Sequence, residues 1–206
     1  MARDAAHKAY DRAYFDRWYR DPRTRVIRPG DVERKARLAV GAAEYLLGRP
    51  VRTVLDVGAG EGTWRRALRA IRPRIQYVGV DPSEYAVRRY GTRRGIRLGR
   101  FDALDELGLD GPFDLVVCVG VMNYLTTREL ERGLESIAAM LGGVAFLEIW
   151  TSVDDIVGDR QGWQEHPPAY YLKHLRRAGL VPCGLHCYAG PTLAEQVAAL
   201  EGGFRL

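Results

Sequence analysis

The stretch of the chain richest in chemical possibility is Asp56-Val57-Gly58-Ala59-Gly60-Glu61-Gly62, where glycine recurs at every second position and a carboxylate stands at each side. Glycines at 58 and 60 allow a tight turn and let the backbone approach a ligand that a Cβ would hold away. A turn of this kind also joins strands to helices where no ligand binds, so it needs support from elsewhere. Asp81 gives that support. It follows Gly58 by 23 residues, near the ~20 at which an acidic side chain in nucleotide-binding sheets accepts hydrogen bonds from ribose hydroxyls. Asp102 closes a third predicted strand in the same way. Any one of these acids also suits a helix N-cap, and Asp81 before Pro82-Ser83-Glu84 fits that role well. The three together make a line of acceptors suited to a ligand that contains a nucleoside.

The charge around the turn narrows the ligand. NAD would set a pyrophosphate on the glycine loop and the following helix N-terminus, where Asp56 and Glu61 would repel it. The spacing is also G-x-G-x-G rather than G-x-G-x-x-G. S-adenosylmethionine carries no phosphate and offers a sulfonium, an ammonium, a ribose and an adenine. Asp56 would attract its ammonium, Asp102 can accept from the adenine amino group, and the Ala103 N–H can donate to the ring. The electrostatics favour the sulfonium cofactor over a dinucleotide.

These residues need a scaffold that brings strand ends together. Thr53 to Val57 is a short β-branched run ended by glycines, as expected of a strand buried on both faces. A helix over about 63–70 follows, then strand 76–80, helix 83–90, strand 96–101 and a strong strand 113–119. Thr126-Thr127-Arg128-Glu129 is a capping box that opens a helix to about Leu141, which Gly142 and Gly143 end before strand 144–150. A last helix over 169–178 leads into an extended Leu180 to Tyr188, then Pro191 and a helix-like stretch over 192–200. Upstream, Tyr10, Tyr14, Phe15 and Trp18 make an aromatic stripe on a helix over 3–19. A second helix starts with Asp31 as its N-cap and stops at Gly48. The alternation specifies an α/β fold: a doubly wound, mostly parallel, Rossmann-like sheet with helices on both faces and an N-terminal helical lid. The expected division is a cap over residues 1–50 and a cofactor-binding domain over 51–206.

The sequence resembles the class I S-adenosylmethionine-dependent methyltransferases through VLDVGAGEG (54–62), YVGVDPSEYA (77–86), FDAL (101–104), FDLVVCVGVMNYL (113–125), GGVAFLEIW (142–150) and LRRAGL (175–180), in that order. Residue by residue, the resemblance implies that Gly58, Ala59 and Gly60 hold the methionine moiety through the backbone and that Asp56 orients its ammonium. It implies that Asp81 takes the ribose hydroxyls, Pro82 packs on adenine, and Asp102 with Ala103 reads the adenine edge. Val119 would line the transfer region. The end of the chain departs from the family pattern, with one extended strand after Gly179 where a closing hairpin is expected.

Methyl transfer from a sulfonium is an in-line displacement, for which alignment and desolvation can supply up to ~7 to 11 kcal/mol in ideal cases. Val119 to Tyr124 lacks the acidic or Asn start and the Pro-Pro-aromatic run of enzymes that methylate amide or exocyclic nitrogens. Cys183 lies after the last helix rather than after strand four, so it does not match a cytosine C5 nucleophile. Cys118-Val119 offers no hard oxygen ligand, and no metal is expected. Candidate catalytic groups are His166, whose ordinary pKa is near neutral, Asn123 and Tyr14, with Tyr10, Trp18, Tyr124, Trp150 and Trp163 as pocket walls. An exposed loop histidine and a core aromatic stripe are the plainer readings of His166 and Tyr14.

Composition sets outer limits. The chain has 206 residues and a net charge of +5, and the basic excess falls in its first half. That motivates RNA or protein methylation as the alternative to a small-molecule acceptor, although 28 arginines against 3 lysines point to genome composition rather than a nucleic-acid surface. A non-catalytic S-adenosylmethionine-binding module is a further alternative. No apolar run approaches the ~18 residues of a membrane span, and the charged start lacks a secretory h-region. The expectation is a cytoplasmic enzyme, either a monomer or a homodimer, with reduced cysteines.

Overall fold

Thr53-Val54-Leu55-Asp56-Val57 forms the first strand because β-branched side chains pack well on a pleated surface that is covered on both sides. In the computed structural model, which describes residues 8–198, the elements run α1 (Arg12–Phe15), α2 (Asp31–Leu47), β1 (Thr53–Val57), α3 (Thr63–Ile71), β2 (Gln76–Asp81), α4 (Glu84–Arg94) and β3 (Ile96–Leu98). They continue as β4 (Phe113–Val119), α5 (Thr127–Met140), β5 (Leu141–Glu148), α6 (Pro168–Arg177), β6 (Val181–Gly184) and β7 (Cys187–Ala189). The seven strands form one sheet in the order β3-β2-β1-β4-β5-β7-β6. β1 to β5 pair in parallel, while β7 runs antiparallel to both β5 and β6. The strand order reverses between β1 and β4, which places a crevice beyond their carboxyl ends.

Both sheet faces are buried, and the alternation along each strand shows it. Val116 and Cys118 of β4, with Ala145 and Leu147 of β5, pack under α5 and α6. Leu115, Val117, Val144 and Phe146 turn to the other face, against α2 and α3. α2 is thus a layer of the sheet, with Ala36, Ala39 and Ala43 fully buried. The capping box read from Thr126 and Glu129 is present, with both reciprocal bonds made.

Several boundaries differ from those read in the sequence. The helix over 3–19 is shorter within the described residues: α1 continues only as a π-helical turn over Asp16–Arg20, and residues 1–7 lie outside them. Gly30, at φ 80°, is the N-cap of α2 in place of Asp31, whose carboxylate accepts from the Arg28 N–H just outside the helix. Gly142 and Gly143 do not end α5 but lie inside β5. A Cβ on Gly143 would overlap the Asp114 carbonyl oxygen, so glycine there serves close strand approach. β3 stops at Leu98, and Phe101–Leu107 forms 3-10 turns instead of extending the strand.

The extended segment over 180–188 is a hairpin. Leu185 and His186 take φ 51° and 63°, the two left-handed positions that reverse a two-residue loop. Pro191–Gln196 forms a 3-10 turn, and positions 199–200 of the helix-like stretch lie outside the described residues. No helix among the described residues is long and apolar enough to cross a membrane.

Gly133 of α5 lets that helix press on the Phe101–Leu107 turn. A Cβ there would overlap the Phe101 ring and lie 2.6 Å from the Phe101 carbonyl oxygen. Gly133→Ala gains helix propensity of up to ~1 kcal/mol but overpacks a rigid backbone contact, so a net loss of about 1 to 3 kcal/mol is expected. Urea unfolding midpoints measure it, and an unchanged midpoint would mean that the turn yields freely.

Candidate functional site

Gly58, Gly60 and Gly62 all adopt positive φ, at 75°, 53° and 71°, so the turn after β1 is built on backbone that other residues enter only with strain. It wraps the end of β2. The Gly58 and Ala59 N–H groups both donate to the Val80 carbonyl, at 2.8 and 3.0 Å. The Gly60 N–H donates to Asp81 at 2.6 Å, and the Gly62 N–H donates to the Ala59 carbonyl at 2.7 Å. Four of the turn's donors are therefore engaged inside the protein. An anion would find few N–H groups free here, in contrast to a phosphate-cradling nest.

Asp81 is 6 % exposed. Its second oxygen accepts from the Ser83 N–H at 2.8 Å, and Ser83, not Asp81, caps α4. Burial pushes the Asp81 carboxyl up, against the two backbone N–H bonds that hold it down. Asp56 lies deeper, and its carboxylate accepts from the Tyr77 hydroxyl at 2.6 Å. Burial lifts its pKa to about 7, opposed by that hydrogen bond and reinforced by the Asp81 charge.

The strand ends open onto a cleft of about 880 Å³ whose lining includes Gly58, Gly60, Asp81, Pro82, Asp102 and Val119. Asp56, Ala59 and Ala103 do not line it: Asp56 lies beneath the turn, and the Ala59 side chain is packed in the core. Asp102 is held by Arg100 through two bonds of 2.9 Å, and Arg100 reaches on to Glu129 at 3.1 Å.

The N-terminal segment lies across the mouth. Ser83 Oγ donates to the Tyr10 carbonyl at 2.5 Å, Phe15 packs against Tyr85 with ring centroids 5.7 Å apart, and Arg20 pairs with Glu61. A Cβ on Gly60 would stand 3.1 Å from the Tyr19 hydroxyl, so this glycine lets the segment sit close over the turn. Tyr14 lines the cleft, and burial raises its hydroxyl above the ordinary range.

The other two proposed catalytic groups are placed elsewhere. Asn123 is fully buried. Its amide donates to the Trp150 carbonyl at 2.5 Å and to the Tyr171 hydroxyl at 3.0 Å, and its oxygen accepts from the Trp150 N–H at 3.3 Å. It clamps the end of β5 to the turn after β4. The His166 ring stacks on Tyr170 at 3.8 Å, with Nε2 buried and unpartnered, and it does not line the cleft. Lys8, Tyr19 and Asp159, absent from the sequence reading, are in the mouth or beside it. Nothing in their local sequence marks them, because their meeting depends on the path of the N-terminal segment.

Residues 31–197 match the family model described as a methyltransferase domain. The chain belongs to that family. Solved structures support the same fold for this methyltransferase. DesVI of Streptomyces venezuelae is 18% identical with a TM-score of 0.61, covering 79% of this chain and 93% of that one. The sugar N-methyltransferase KedS8 from Streptoalloteichus sp. ATCC 53650 is 21% identical with a TM-score of 0.61, covering 89% and 90%. CalS10, an amino pentose methyltransferase from Micromonospora echinaspora solved with S-adenosylmethionine bound, is 18% identical with a TM-score of 0.60, covering 77% and 91%. An uncharacterised protein of Synechococcus sp. is 28% identical over 116 residues, 52% of this chain and 27% of its own length. The match thus spans about a quarter of that relative.

Proposed function

We propose that this methyltransferase takes its methyl group from S-adenosylmethionine and passes it to a small-molecule acceptor. The observation that carries the reading is the glycine turn whose N–H groups are engaged by Val80 and Asp81. A site for a pyrophosphate needs such donors free, whereas here they are engaged and the buried Asp81 carboxylate faces the cleft, which suits a cation better than a phosphate. Gly58, Gly60 and Val119 would hold the methionine end, Asp81 the ribose hydroxyls, and Pro82 with Asp102 the adenine. Asp56, beneath the turn, would act on the ammonium only through the field of its carboxylate.

When bound, the sulfonium supplies an electrophilic methyl carbon with a neutral thioether as leaving group. The chain supplies alignment and a dry setting. Tyr10, Tyr14 and Tyr19 close the mouth and keep water from the developing bond. Tyr14, which retains its proton at neutral pH, would contribute as a wall and hydrogen-bond donor rather than as a base. The covered cleft and the likeness to KedS8, a sugar N-methyltransferase, and CalS10, an amino pentose methyltransferase, support an acceptor of sugar size. The cap and catalytic portions meet along the segment before α2, because α2 itself packs as a layer of the sheet.

Isothermal titration with S-adenosylhomocysteine, the expected product, should give saturable binding, and NADH should give none. Binding of NADH without binding of S-adenosylhomocysteine would overturn the reading.

A further inference from the structure

The Lys8 ammonium occupies a cage at the lip of the cleft. Its Nζ lies 3.6 Å from the centroid of the Tyr124 ring, 5.3 Å from that of Tyr10 and 5.5 Å from that of Tyr14. Asp159 Oδ2 is 2.6 Å away, and the Gln161 carbonyl accepts at 3.2 Å. Both charged side chains are only 13% exposed. Three aromatic faces and a carboxylate around one nitrogen form a receptor for an ammonium, since the π faces attract a cation and give little to a neutral hydroxyl. Asp159 would repel an anion.

Most of the cage does not depend on Lys8. The Tyr124 hydroxyl donates to the Asp159 carbonyl at 2.6 Å, which ties the aromatic platform to the residue that carries the carboxylate. Tyr124 is braced edge-on by Trp163 at 5.3 Å, and Tyr10 meets Tyr14 edge-on at 5.0 Å. Lys8 itself stands in a stretch without helix or strand, so it can withdraw without unfolding an element. The cage also opens on the right space: Tyr10, Tyr14, Tyr124 and Gln161 line the same cleft as Gly58, Asp81 and Val119.

The geometry points to this cage as the ammonium subsite of the acceptor pocket, filled by Lys8 in the ligand-free enzyme and by the amino group of a small-molecule acceptor in the complex. This rests on the cleft being the methyl-transfer site, and it narrows the acceptor class to amine-bearing molecules. Burial lowers the Lys8 pKa, and the hydrogen bond and charge of Asp159 oppose that cost.

The test uses n-butylammonium, which reproduces the end of a lysine side chain, and 1-butanol as its neutral counterpart. Both are titrated by NMR into the full chain, its Lys8→Ala variant and the Lys8→Ala/Asp159→Asn double variant. Lys8→Ala should bind n-butylammonium about tenfold more tightly than the unmodified protein does, and about tenfold more tightly than it binds 1-butanol. The double variant should keep only a part of that preference, the part the tyrosine faces supply. Equal affinity for the alcohol in Lys8→Ala, or a preference undiminished by Asp159→Asn, would overturn the assignment. S-adenosylhomocysteine is titrated into the same samples. Cation selectivity without nucleoside binding would sink the cofactor reading alone, and nucleoside binding without cation selectivity would sink the cage alone.

Discussion

Between about pH 5 and about pH 8, the stability advantage of Asp56→Asn over the unmodified, ligand-free protein should grow by about 2 to 3 kcal/mol. Asp56 is 2 % exposed, and burial raises its pKa to about 7. A carboxyl with a folded pKa above its unfolded value of ~3.9 favours folding when protonated. That contribution is complete below the unfolded pKa and is lost as pH rises through the folded one. Asparagine keeps an oxygen for the Tyr77 hydroxyl, which donates to Asp56 at 2.6 Å, and carries no charge to bury. Urea unfolding of both proteins across this pH range measures the difference, and parallel curves would show that Asp56 does not titrate there. The experiment also bears on function. A bound ammonium close to Asp56 would stabilise its charged form, so saturating S-adenosylmethionine should flatten the pH dependence of the unmodified protein.

That a strand-end acid sits below the cleft rather than in it marks the limit of what the sequence shows. The line Asp56, Asp81, Asp102 is legible because the buried strands β1 and β2 read as short β-branched runs whose ends share one side of the sheet, although Asp102 itself sits in the 3-10 turn after β3 and not at a strand end. Depth along that line was not legible, since Tyr77, 21 residues from Asp56 in sequence, decides it. Turn chemistry explains other misses. Leu185 and His186 reverse the chain without the Asn-Gly or Asp-Gly pair that normally announces such a loop, so the sequence of the β6–β7 hairpin looks like one strand. Gly142 and Gly143 look like a helix stop, but the Asp114 carbonyl pressing on Gly143 is visible only once β4 and β5 are paired. Asn123 and His166 carry suitable functional groups, which says nothing of their partners. The fold gives Asn123 to the Trp150 backbone, whereas the Lys8 cage unites residues from three separate segments.

Asp81→Ala should weaken S-adenosylhomocysteine binding by about 1.5 to 3 kcal/mol, the loss expected for a charged hydrogen-bond acceptor. The carboxylate is already aimed: one oxygen holds the Gly60 N–H at 2.6 Å and the other the Ser83 N–H at 2.8 Å. Each oxygen keeps a further lone pair, and Asp81 lines the cleft. A ribose diol can therefore be received without reorganising the side chain. Asparagine is no conservative control here, because both oxygens accept from backbone N–H groups and an amide would set its own N–H₂ against one of them. Asp102→Ala is the better comparison. Its carboxylate is neutralised by Arg100 at 2.9 Å, and Arg100 is exposed, so its removal should weaken binding by less than about 1 kcal/mol. Calorimetry on the two variants separates these roles. Equal losses would assign the ligand contact to the whole acidic line, and an unchanged affinity in Asp81→Ala would remove the ribose from the end of β2.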